Sequence, residues 1–155
     1  MIRYAVVILA GVVCDQAVKY WAANYLLRAQ SLTVIPGVFD LTYAENTGAA
    51  FGMLRDARWF FIVLTAVILA AIAYAVIRRI ISDPMGLWSL TFIATGAIGN
   101  LIDRVRNGYV IDLFEITLFQ FAIFNVADVF VSLGGVLACV YLLFFYGKKE
   151  HADNM

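Results

Sequence analysis

Two aspartates, Asp112 and Asp128, lie beside apolar segments long enough to cross a bilayer. An aspartate at the centre of such a segment costs about 2.5 to 3.5 kcal/mol to insert, so one kept there points to a function. Two carboxylates close together in a low-dielectric site cannot both ionise, so they share a proton and divide the roles of acid and base. The base takes a proton from water attacking a carbonyl, and the acid protonates the leaving nitrogen. This is aspartic-protease chemistry. Asparagine and arginine side chains nearby can orient the carboxylates or donate to the developing oxyanion.

Spacing alone leaves Asp103 and Asp15 as rival partners. Asp103 has Arg104 beside it and Asp15 has Lys19 four residues on, so each rival can be neutralised locally, which favours Asp112 and Asp128. Asp15 and Lys19 read equally well as a structural ion pair or as direct substrate contacts. Other hydrolytic sets are missing from the sequence. The one histidine, His151, stands in the C-terminal tail, Cys14 and Cys139 are read as buried in the spans, and no Cys-x-x-Cys or His-Glu-x-x-His pattern occurs. Neither a covalent triad nor a metal or other cofactor is expected.

The elements that must position these residues follow from composition. The chain has 155 residues, is 64% hydrophobic and only 14% charged, against about 25% charged in an ordinary soluble domain. With a mean hydropathy of +0.89, it reads as an integral membrane protein. A net charge of +0 offers no basic field to nucleic acid. Spanning a bilayer takes about 20 apolar residues, and four segments qualify, approximately 4–23, 59–77, 87–105 and 121–146. The expected fold is an all-α membrane protein of four antiparallel transmembrane helices, one domain over residues 1–155, with a small extracytoplasmic β-sheet region. The first span, interrupted by Asp15 and Lys19, is read as retained and not as a cleaved signal. Leu9-Ala10-Gly11 resembles the residues that precede a lipid-modified cysteine, but Val12 follows.

In the connection from 24 to 57, Val38-Phe39-Asp40-Leu41-Thr42-Tyr43 alternates at period two after a Pro36-Gly37 turn, which predicts a strand. Four antiparallel spans bring the end of the first, the start of the second, the end of the third and the start of the fourth to one face. Asp15, Lys19, Asn46, Asn100, Asp103, Arg104, Asp112, Asn125 and Asp128 all fall toward that face. Gly96, Gly99 or Asn100, and Asp103 recur at helical spacing as a small, polar stripe suited to close packing. Arg3, Arg78, Arg79, Lys148 and Lys149 balance Arg28, Arg55, Arg58, Arg104 and Arg106 in number across the two sides. Arg104 and Arg106 sit among polar residues that look committed to a site, so both termini are placed in the cytoplasm.

The sequence resembles lipoprotein signal peptidase, or signal peptidase II, a family of bacterial inner-membrane aspartyl proteases. The resemblance runs over nearly the whole chain, through Asp15-Gln16 with Lys19, Asn46-Thr47-Gly48-Ala49-Ala50-Phe51, Gly99-Asn100-Leu101-Ile102-Asp103-Arg104, Gly108-Tyr109-Val110-Ile111-Asp112 and Phe124-Asn125-Val126-Ala127-Asp128. It implies that Asp112 and Asp128 are the catalytic pair. Asn46, Gly48, Asn100, Arg104 and Asn125 would bind substrate or support the dyad, and Asp15, Lys19 and Asp103 would be structural or substrate-contacting. The resemblance also implies cleavage of diacylglyceryl-modified prolipoproteins immediately before the lipidated cysteine and inhibition by globomycin-type peptides; a monomer in contact with membrane lipid, with its site near the periplasmic face of the bacterial inner membrane, is the expected setting. Two departures, Leu113 after Asp112 where phenylalanine is common and Thr95-Gly96 where a glycine pair is frequent, bear on packing more than on chemistry.

A small proton-coupled membrane transporter is the competing reading, because intramembrane carboxylates also mark proton relays. It would show internal repeats and carboxylates bracketing the midplane. A purely structural four-helix protein would not require Asp112 and Asp128 at all.

Overall fold

The structure is a computed structural model that describes residues 1–49 and 53–146. Ala50 and Phe51 of the asparagine-led motif, Lys148-Lys149 and His151 lie outside the described residues. The chain forms helix α1 (Ile2–Ala29), strands β1 (Ser31–Ile35) and β2 (Phe39–Asn46), helices α2 (Arg58–Ile77) and α3 (Pro84–Arg106), strand β3 (Val110–Ile116), and helix α4 (Val126–Tyr141), which runs into a π-helical turn at Leu142–Tyr146. Among the described residues four helices are long and apolar enough to cross a membrane: Ile2–Ala29, Arg58–Ile77, Pro84–Arg106 and Val126–Phe145. Their ends depart from the ranges read off hydropathy for local reasons. Nothing between Gly11 and Ala29 breaks a helix, so α1 continues past the apolar stretch until Gln30 turns to φ 64°. Pro84 stands in the first turn of α3, where its missing N–H costs nothing, and the Asp83 side chain accepts from Met85 N. At the fourth span the helix begins at Val126 and not at 121, because Asn125 caps it.

Helix α3 is the centre of the bundle and packs on α4, α1 and α2. In lipid there is little hydrophobic force between helices, so close approach of small residues does the work. A Cβ at Gly96 would overlap the carbonyl oxygen of Ala127, and one at Gly99 would meet both the Asp15 carboxylate and Ala127. The small stripe seen in the sequence therefore packs on α4 at Gly96 and turns toward α1 at Gly99 and Asp103. Helix α2 packs on α3 and buries none of its residues within the protein, as expected of a span surrounded by lipid. Cys14 and Cys139 are free thiols exposed on the helix exteriors, not buried as the sequence suggested. An apolar residue of a span need not face the protein interior, since lipid solvates it equally well.

The sheet is antiparallel in the order β1-β2-β3. The alternation from Val38 to Tyr43 marks most of β2, but β1 and β3 go beyond the expectation. Residues Val110 to Leu113 of β3 are all buried, which removes the period-two signal by which a strand is recognised. Leu41 pairs with Phe114 and Ala44 with Asp112, with an irregularity between the two pairs. Ala22 and Leu26 of α1 pack against Ile111 and Leu113 of β3, tying the end of that helix to the sheet. The strand that carries Asp112 is thus held from two sides.

Candidate active site

The two site residues of α4 are placed by the start of that helix. Asn125 and Asp128 form a capping box at the start of α4: the Asn125 side chain accepts from Asp128 N at 3.0 Å, and Asp128 Oδ2 accepts from Asn125 N at 3.1 Å. The bond that starts the helix also fixes the carboxylate. Asp128 Oδ1 is left to accept from Asn100 Nδ2 of α3 at 2.8 Å. Asp112, on β3, accepts from Asn125 Nδ2 at 2.6 Å through Oδ1 and from Asn46 Nδ2 at 2.9 Å through Oδ2. Asn125, 0% exposed, therefore bonds both aspartates. The two carboxylates are gathered around one asparagine.

Asp112 is buried, and its pKa is pushed up to about 6, chiefly by loss of water around the charge. The amide of Asn46 opposes that rise, the Asp128 carboxylate adds to it, and the Asn125 amide and the Lys19 charge draw it back. Arg104 approaches from α3. Its Nη2 donates to the carbonyl of Gly48 at 3.0 Å, and its guanidinium lies 4.7 Å from the centre of the Phe61 ring. Gly48 N in turn donates to Asn46 Oδ1 at 2.9 Å.

The two rival aspartates lie in a second set behind the first. Lys19 bonds Asp15 Oδ2 at 3.0 Å and Asp103 Oδ2 at 2.9 Å. The counter-charge of Asp103 is thus Lys19 and not the adjacent Arg104. Neighbouring residues on a helix point in different directions, and only those three or four apart meet. Asp15 Oδ1 accepts from Ala127 N at 2.9 Å, and Asp103 Oδ2 accepts from Ile111 N at 3.1 Å. These carboxylates tie α1 to α4 and α3 to β3. All ten residues singled out in the sequence fall into this continuous polar cluster.

Two residues not picked out for the site also belong to it. Gln16 Nε2 donates to Asp103 Oδ1 at 3.0 Å and reaches Asp15 and the Gly99 carbonyl; a glutamine inside an apolar run was a usable signal. Phe61, beneath Arg104, carried none, because an aromatic in a span is ordinary. Among the described residues no group of three or more histidine, cysteine or acidic side chains could hold a metal ion.

Two clefts meet at the carboxylates. One, of about 570 Å³, is lined by Asp128 and mostly apolar side chains such as Phe121, Val129 and Leu133. The other, of about 550 Å³, is lined by Asp112 together with Glu45, Arg55 and Asp56. Asn46, Ala49, Ala122 and Ile123 border both. An apolar chain can therefore reach one aspartate while polar groups reach the other.

Fold and site together describe a multi-pass membrane protein with paired carboxylates at the mouth of an apolar cleft. Residues 7–144 match the family model described as signal peptidase (SPase) II. The lipoprotein signal peptidase of Caldanaerobacter subterraneus subsp. tengcongensis is 47% identical over 144 residues, covering 92% of this chain and 97% of that protein. The lipoprotein signal peptidase of Clostridioides difficile is 40% identical over 147 residues, covering 95% and 99%. A solved structure titled as a bacterial membrane enzyme determined by the in meso method at 2.3 Å superposes with a TM-score of 0.87 at 32% identity, over 92% of this chain and 88% of that one. A second, at 1.9 Å, gives 0.84 at 31% identity, over 94% and 95%. The chain belongs to the signal peptidase II family and is a peptidase of the aspartic type.

Proposed function

We propose that this protein removes the signal peptide from diacylglyceryl-modified prolipoproteins, cutting immediately before the lipidated cysteine, with Asp112 and Asp128 as the catalytic pair. The observation that carries the reading is Asn125. It donates to Asp112 and exchanges two bonds with Asp128, so one residue holds both carboxylates. Asp112, with its pKa pushed up to about 6, suits a pair that can hold one proton at mildly acidic pH. The ionised member takes a proton from water as its oxygen attacks the scissile carbonyl. The protonated member then gives its proton to the leaving nitrogen as the C–N bond breaks. The pair titrates as a unit, and the two roles belong to it jointly.

Substrate geometry fits the clefts. A signal peptide with its lipid chains would lie in the apolar cleft beside Asp128, and the mature chain would leave through the polar cleft beside Asp112. Asn46, Gly48, Asn100, Arg104 and Asn125 hold the carboxylates or the substrate backbone. A globomycin-type cyclic peptide would compete for the same apolar cleft. In the bacterial cytoplasmic (inner) membrane the four helices would run antiparallel, with both termini cytoplasmic and the sheet and site toward the periplasmic side. The protein would act as a monomer surrounded by lipid.

The test uses purified protein in detergent and a lipidated precursor peptide. Asp112→Asn and Asp128→Asn should each lower turnover by about a thousandfold, the order expected when an acid–base group is lost, with helical content unchanged by circular dichroism. Cleavage that survives either change would remove the mechanism.

A further inference from the structure

Three asparagines present amide groups to the proposed dyad, and an amide is useful there only if its NH₂ end faces the carboxylate. Turned over, it sets a carbonyl oxygen against an anion. What fixes the turn is a group at the other end that can only donate. For Asn46 that group is the backbone N–H of Gly48, and for Asn125 it is the backbone N–H of Asp128. Among the described residues Asn100 has no such backbone partner at its oxygen. Its Oδ1 accepts from Lys19 Nζ at 2.8 Å and from Asn125 Nδ2 at 3.2 Å. An ammonium cannot accept, so the atom facing it must be the oxygen, and Nδ2 is delivered to Asp128 Oδ1.

We infer that Lys19 is a positioning residue for the peptidase reaction: its ammonium fixes the Asn100 amide so that the NH₂ end meets Asp128. Lys19 is 2% exposed, and its three N–H groups go to Asp15, Asp103 and Asn100. None is left for a substrate, which decides between the two roles its sequence position allowed. The two carboxylates neutralise its charge and hold it in place. The third bond acts on the site. Lys19 and Asn125 both face the Asn100 oxygen, but Asn125 also bonds the dyad itself, so Lys19 is the one of the two through which the Asn100 amide can be altered without removing a dyad contact. The inference rests on the reading of Asp112 and Asp128 as the dyad.

The experiment compares full-length wild type, Lys19→Met, the double variant Asp15→Asn/Lys19→Met and Asp112→Asn. The double variant leaves the net charge of Asp15, Lys19 and Asp103 unchanged, so it reports on the lost bond even if the single variant does not fold. Turnover of a lipidated precursor is measured beside NMR spectra of the side-chain amides of labelled asparagine. The Lys19 variants should lose about 100-fold in kcat, as when one oriented donor is removed, with KM within about twofold. The Asn100 amide signals should lose their shift while those of Asn46 and Asn125 keep theirs. An unchanged Asn100 signal, a kcat within about threefold of wild type, or equal broadening of all three asparagines would overturn the inference, the last by making Lys19 merely structural. Undiminished turnover by Asp112→Asn would instead overturn the dyad, and the inference with it; the Asn100 spectrum distinguishes the two failures because it does not depend on turnover.

Discussion

Asn125 does two jobs with one side chain, since its oxygen starts α4 and its nitrogen holds Asp112. Asn125→Ala should therefore cost about 1 kcal/mol of stability through the lost cap and lower kcat by about 100-fold through the lost donor. Thermal melting and turnover on the same preparation separate the two effects. Asp112 gives a pH prediction with a definite sign. Its pKa is raised from 3.8 to about 6 on folding, so the native state binds the proton more tightly than the unfolded chain. The stabilisation this group offers grows as pH falls through 6 and is complete near 4. Relative to Asp112→Asn, wild type should gain melting temperature on acidification across that window, and a constant difference would refute the shift. The residue types and their convergence were legible in the sequence, since a carboxylate or asparagine in an apolar run stands out. Which cation serves which acid was not: Asp103 looked paired with Arg104, and only the phase of α3 sends it to Lys19.

At the scale of the element, the seam between α3 and α4 is set by backbone meeting backbone. Gly96 faces the Ala127 carbonyl, whereas nothing lies within 4 Å of a Cβ placed on Gly135. Gly96→Ala should be destabilising by roughly 1 to 3 kcal/mol, because the helices must part and the overpacking cost exceeds the helix-propensity gain of about 1 kcal/mol. Gly135→Ala, on α4, should be neutral or stabilising by up to about 1 kcal/mol. Melting in detergent checks both, and a Gly96→Ala variant as stable as Gly135→Ala would contradict the packing. The four helices were visible from hydropathy, which depends on composition alone. Strand β3 was not, because residues Val110 to Leu113 are all buried and show no alternation. The strand that carries Asp112 thus stayed hidden although Asp112 itself was plain.

For the whole molecule, the proposed orientation makes a prediction independent of chemistry. A reporter active only in the cytoplasm should work when fused after Met155 and fail when inserted at the Pro36-Gly37 turn, and the opposite pattern would invert the topology. The double use of Asp128, as proposed acid–base group and as the residue that closes the capping box of α4, has a consequence for drug escape. A replacement that lacks an acceptor oxygen at this position, made to weaken the grip of the proposed globomycin-type inhibitor, would also fray the start of a membrane span. If the proposed inhibitor seats in the apolar cleft, changes that escape it should collect along the wall at Phe121, Val129 and Leu133 and leave the acids untouched.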